Sequence, residues 1–168
     1  DDWQNIVAAG NGPPPMALRA NLRRCDRDSY QARLAAEGIA ATPVGEAGLT
    51  LAKPLPVDRL PGFADGDVSV QDPGAQMAAA LLDPAPGSRV LDACAAPGGK
   101  PAQSLERVKL ELLSLDLKPS RCRRIAENLG RLGLQADIKD ADCAKLNTWW
   151  DGQPFDADDA ALRIDDRL

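Results

Sequence analysis

The stretch Leu91-Asp92-Ala93-Cys94-Ala95-Ala96-Pro97-Gly98-Gly99-Lys100 decides the fold. An apolar strand, Arg89 to Asp92, ends in an acid and runs into a turn of small residues and glycines, after which a helix is expected from Pro101 to Val108. A strand, a glycine turn and a helix N-terminus in that order form a crevice at the carboxyl edge of a parallel sheet, where free backbone N–H groups face a ligand. Glycines let that ligand approach the main chain closely. The dinucleotide pattern G-x-G-x-x-G is not met, and the P-loop pattern fails at both ends. Cys94 stands where its first glycine belongs and Pro101 where its magnesium-binding hydroxyl belongs.

The grammar on either side agrees with a parallel sheet. Val68 to Gln71 reads as a strand, and Asp72-Pro73 supplies an N-cap and a first-turn proline for a helix over Gly74 to Leu82. Leu110 to Leu115 is a buried strand closed by Asp116. Ser120 is the expected cap of the next helix, whose apolar residues Ile125, Leu129 and Leu132 recur at i, i+4 and i+7 before Gly133. Ala136 to Lys139 is another strand, running on to Asp142. Alternating strands and helices with near-continuous apolar strands predict an α/β sheet covered on both faces.

Upstream the pattern differs. Met16 to Asn21 reads as a strand, Ser29 to Glu37 as a helix closed by Gly38, and Ile39 to Val44 and Leu49 to Lys53 as two further strands. These make a small α+β unit. The prolines and glycines of residues 53–67 form a connector, so the expected division is 1–66 and 67–168.

Composition narrows the chemistry. The 168 residues are 44% hydrophobic and 27% charged, ordinary for a globular chain, and no apolar run is long enough to span a bilayer. An acidic start, unlike a signal peptide, adds to the expectation of a cytoplasmic protein with no membrane contact. Histidine is absent, which excludes Ser-His-Asp and Cys-His nucleophile pairs and the common zinc sets. No metal is expected. The four cysteines, Cys25, Cys94, Cys122 and Cys143, are scattered and read as reduced thiols. Net charge is −5, but residues 151–168 carry six Asp against two Arg. Two basic clusters precede that tail: Arg19, Arg23, Arg24 and Arg27, then Lys118, Arg121, Arg123, Arg124 and Arg131. Either cluster alone is more commonly a solvated face, yet a phosphate-binding surface stays open.

Asp92, Asp116 and Asp142 close three successive strands around one glycine turn. Singly, a strand-end Asp is usually a cap or loop residue. Together, with Asp116 placed to accept bonds from two ribose hydroxyls and Asp142 from an adenine amine, they suit a ligand with ribose and adenine but no phosphate requirement. S-adenosylmethionine fits that description.

The segment Asp92 to Lys100 resembles the first motif of the RNA cytosine-C5 methyltransferases, and Val70-Gln71-Asp72-Pro73-Gly74-Ala75-Gln76 resembles the segment that precedes it in that family. The likeness extends from Trp3-Gln4-Asn5-Ile6-Val7 through Leu60-Pro61-Gly62-Phe63 to Phe155-Asp156. It implies a Rossmann-like methyltransferase sheet, incomplete here, preceded by a small RNA-recognition-like subdomain. By the resemblance, Cys94, Ala95, Ala96, Pro97, Gly98, Gly99 and Lys100 line the methionine end of S-adenosylmethionine, Asp116 holds the ribose and Asp142 the adenine. Arg19, Arg23, Arg24 and Arg27 fall on the subdomain that faces RNA. The implied reaction is methylation of carbon 5 of a cytosine in small-subunit (16S) rRNA, by a monomer.

Two departures matter. The family is longer at the front, so the chain reads as a fragment there. Its chemistry uses two cysteines, in D-A-P-C-type and T-C-S-type loops, and neither motif is present. None of the four cysteines takes a catalytic position, which leaves the alternative of a chain that binds cofactor and RNA without turnover. Phe155-Asp156-Ala157 opens a fourth strand, yet Asp158-Asp159 cannot continue it into a core without unpaired buried charge. An interruption between Ala157 and Asp158 is expected, with the tail as a helix elsewhere.

Overall fold

A computed structural model describes residues 2–12 and 14–158. Two four-stranded sheets organise them. The first follows helix α1 (Asp2–Gly10) and contains β1 (Ala17–Ala20), β2 (Ala41–Val44), β3 (Gly48–Leu51) and β4 (Val68–Val70), antiparallel in the order β2-β3-β1-β4. Helix α2 (Arg27–Ala36) packs on it. Asp26 starts α2 by accepting a bond from Ser29 N (2.8 Å), and the buried Tyr30 and Leu34, one helical turn apart, face Leu18, Leu49, Leu51 and Val68. The Tyr30 hydroxyl donates to Pro61 O (2.9 Å), and burial pushes its phenol up to about 12.

The second sheet is parallel, in the order β7-β6-β5-β8, from β5 (Arg89–Asp92), β6 (Glu111–Asp116), β7 (Asp137–Asp140) and β8 (Ala157–Asp158). Three helices belong to this half: α3 (Pro73–Leu82), α4 (Gly99–Arg107) and α5 (Pro119–Leu132). Val90 and Leu112 point to one face of the sheet and meet Ala102 and Leu105 of α4 and Ile125, Leu129 and Leu132 of α5. Leu91, Leu113 and Leu115 point to the other and meet Trp149. Both faces are covered, which is why these strands are nearly continuous in apolar residues. Asp72 caps α3 from Gly74 N (2.8 Å) and Ala75 N (3.3 Å), with Pro73 in the first turn.

Five details correct the sequence reading. Strand β4, expected with the alternating strands and helices of the parallel half, pairs antiparallel with β1 in the first sheet. Helix α1 has no counterpart among the expected elements. Ser120 does not cap α5: the cap position is Lys118, which makes no side-chain capping bond, and Ser120 lies inside the first turn. Strand β7 stops at Asp140, so Asp142 is a loop residue. Ala157 and Asp158 are successive residues of one strand, in register with Val90 and Leu91, so the expected break between them is not there. A two-residue strand at the edge of the sheet does not require the apolar run that a central strand needs. The helix expected beyond it falls outside the described residues.

Candidate cofactor site and basic face

The carboxyl ends of β5, β6 and β7 lie side by side, and the turn after β5 is built from their last residues. Asp92, 2% exposed, accepts a bond from Cys94 N (3.0 Å). Ala95 N donates to Leu115 O (2.9 Å), which ties the turn to β6. Gly98 then donates to Ala95 O (2.7 Å), and its own carbonyl accepts from Ala102 N (3.0 Å) as α4 begins. Gly98 has φ 102°, and no side chain caps α4 there. The helix thus begins without a side-chain cap, at the edge where β5 and β6 end. Cys94 and Pro97 are exposed, Ala96, Gly99 and Lys100 half-buried, Ala95 and Gly98 buried.

Asp116 is 3% exposed and holds the turn from the neighbouring strand. Its carboxylate accepts from Ala96 N (3.3 Å) and Lys118 N (3.4 Å), and the Arg121 guanidinium lies 3.4 Å from it. Ala141 N donates to Asp116 O (3.0 Å), which brings the segment after β7 beside the same strand end. Asp142 follows directly, accepting from Ala144 N (3.1 Å) with Lys145 at 3.9 Å. The three acids expected from their spacing thus gather at one edge. Asp142 serves there also as a turn former.

Two of the thiols, Cys122 and Cys25, are disfavoured as thiolates. Cys122 donates weakly to Asp116 O (3.6 Å), and burial, then the Asp116 carboxylate, push its thiol up. Burial, then Asp67, do the same to Cys25.

The first basic cluster divides. Arg19 does not belong to a solvent face: it is 1% exposed and pairs with Glu106 (2.8 Å), because strand β1 is buried along its whole length. Arg23 donates to Leu105 O (3.2 Å), Arg24 pairs with Asp67 (2.9 Å), and Arg27 bonds Asp28 (2.9 Å) and Gly45 O (2.7 Å). Arg23 and Arg24 remain exposed and Arg27 half-exposed. Sequence reasoning missed Asn128, which donates to the turn, and Glu106 and Gln71, which accept from Arg19. Asn128 donates to Pro97 O (3.3 Å) and accepts from Arg131 (3.1 Å), whose guanidinium also bonds Phe63 O (2.6 Å) and stacks 4.2 Å from the Phe63 ring. For Glu106 and Asn128 the one available signal was their place on α4 and α5, beside apolar core residues.

Among the described residues no group of three or more His, Cys, Asp or Glu is placed to hold a metal, and no helix is long and apolar enough to cross a membrane.

The parallel sheet, its glycine turn and its strand-end acids define the Rossmann-like fold of S-adenosylmethionine-dependent methyltransferases. A solved methyltransferase homologue from Pyrococcus horikoshii superposes with a TM-score of 0.77 and 25% identity, over 88% of this chain and 50% of that one. Residues 1–58 match the ferredoxin-like domain of RsmF/B-like methyltransferases, and residues 79–158 match the family described as 16S rRNA methyltransferase RsmB/F. The chain belongs to the RsmB/F methyltransferase family. Ribosomal RNA small subunit methyltransferase B of Xylella fastidiosa (strain Temecula1) is 50% identical over 93% of this chain, and that of Pseudomonas syringae 48% identical over 92%. The chain spans 38% and 36% of the length of these two relatives.

Proposed function

We propose that this chain is the cofactor-binding and RNA-facing part of an enzyme that transfers a methyl group from S-adenosylmethionine to carbon 5 of a cytosine in small-subunit rRNA. The observation that carries the reading is the turn Cys94 to Lys100, held between buried Asp92 and buried Asp116 at adjacent strand ends. Membership of the RsmB/F family and the names of the relatives supply the substrate class.

The residues fit the cofactor. Asp116 would accept from the ribose hydroxyls, Asp142 from the adenine amine, and residues 94–100 would line the methionine portion. The cofactor would supply the methyl group, and the chain would orient it. Arg23, Arg24 and Arg27 contribute positive charge toward the RNA backbone.

The family's two cysteine motifs have no counterpart among residues 1–158. For these residues alone the expected behaviour is binding without turnover. Calorimetric titration with S-adenosylmethionine tests the site. Asp116→Ala should weaken binding by about 1.5–3 kcal/mol, the usual loss for charged hydrogen bonds. Unchanged affinity would remove the ribose assignment.

A further inference from the structure

We propose that Arg19 is a positioning residue, reaching from the antiparallel sheet to lock the start of α4 in the shape that receives the cofactor. This rests on the reading of the turn as an S-adenosylmethionine site.

Arg19 is in the middle of β1 and fully buried. Two of its nitrogens meet the Glu106 carboxylate, Nε at 3.1 Å and Nη2 at 2.8 Å. The third, Nη1, donates to Gly99 O at 3.0 Å and to the side-chain oxygen of Gln71. Gly99 is the first residue of α4, and Glu106 lies two turns further along the same face. The Glu side chain leans back toward the helix N-terminus, so one guanidinium grips both. Gln71 in turn donates to Gln103 (3.3 Å), and Gln103 to Gln76 O (2.7 Å), which fixes the fork from behind.

A buried ion pair is a poor source of stability compared with apolar side chains of the same volume. Burial pushes the Glu106 carboxyl up, with Arg19 pulling it only part of the way back. What an apolar pair cannot do is bring a donor to Gly99 O. Lysine cannot do it either while also meeting Glu106, since it lacks the planar fork. The other end of the turn is held through α5: Arg131 crosses the boundary to Phe63 O (2.6 Å) and Val68 O (3.1 Å) and also donates to Asn128, which donates to Pro97 O. The antiparallel sheet and its connector thus set the geometry of the turn from both sides.

The experiment uses the chain as it stands, with Arg19→Lys and Glu106→Gln. Three quantities are read: melting temperature, S-adenosylmethionine affinity by calorimetry, and amide hydrogen exchange without ligand at Gly98 and Ala102, whose N–H groups are bonded to Ala95 O and Gly98 O. Arg19→Lys, which keeps a charge opposite Glu106, should weaken cofactor binding at least fivefold and speed exchange at the turn about tenfold. Glu106→Gln should lower the melting temperature but leave affinity within twofold and the turn's exchange unchanged, because the bond to Gly99 survives. If Arg19→Lys does not fold, the double variant Arg19→Met, Glu106→Leu fills the same space without the donor and carries the same expectation. Affinity and exchange at parental levels in either Arg19 variant overturn the proposal, as does a loss in Glu106→Gln that tracks its melting temperature. Should the parent chain bind no S-adenosylmethionine, the site reading fails, and the exchange rates alone then decide whether Arg19 positions the turn.

Discussion

A single methyl group at residue 98 is enough to test the turn. Gly98 has φ 102°, and a Cβ there would come within 3.3 Å of Ile125 Cα, a backbone atom of α5 that cannot swing aside. Gly98→Ala should therefore destabilise the chain by about 1–3 kcal/mol, read as a lower urea midpoint at unchanged slope. An unshifted midpoint would show that α5 yields. The turn itself was legible from a strand, a small-residue run and a helix in sequence, but the reason for glycine at 98, its approach to α5, was not. Arg19 was not, since one letter serves for a solvated arginine and a buried one. Its neighbours Leu18 and Ala20 were the clue: a cation between two core residues of a strand is on a covered face as soon as a second layer, here α3 and α4, packs there. Asp142 shows the opposite limit, where the run Asp140-Ala141-Asp142 offers two places for a strand to stop.

Helices α5 and α2 illustrate what periodicity does and does not reveal. The i, i+4, i+7 stripe of Ile125, Leu129 and Leu132 marked α5 from the letters alone, and all three are buried. Leu129→Ala should cost about 2–5 kcal/mol in chemical denaturation; a loss under about 1 kcal/mol would mean that the stripe is poorly packed. Helix α1 has a similar spacing in Trp3, Ile6 and Val7, yet these are 62%, 70% and 53% exposed, so no core pattern connects it to its neighbours. Helix α2 is tied to the connector electrostatically. Arg24 and Arg33 lie 2.9 Å and 2.8 Å from the two oxygens of Asp67. Burial raises the Asp67 carboxyl, but the bonds from Arg33 and Arg24 outweigh it and hold the group below its ordinary range. A carboxyl depressed in the folded state contributes stability that is present above its unfolded value, about 3.9, and is lost as pH falls through the folded value. Asp67→Asn should therefore lower the melting temperature at neutral pH and flatten its decline below about pH 4. Parallel decline in variant and parent would assign that acid limb to other groups.

At the scale of the whole molecule, the two sheets meet through polar side chains, with Arg19 and Arg131 each crossing the boundary. With Arg19 withdrawn to the interior, the proposed RNA contact of this half rests on Arg23, Arg24 and Arg27. The double change Arg23→Ala, Arg24→Ala should weaken RNA binding and reduce the steepness of its salt dependence by about one for each phosphate no longer neutralised. An identical slope would make this face a plain solvated one. The exposure of the three tryptophans has a practical result. Trp149 is 6% exposed, its indole N–H donating to Cys143 O (3.3 Å), while Trp3 is 62% and Trp150 43% exposed. Acrylamide will extinguish the emission of the two outer indoles and leave a blue-shifted remainder from Trp149. That residual fluorescence comes from beneath Leu115, the residue before Asp116, so the protein carries its own optical probe for disturbance of the sheet under the glycine turn.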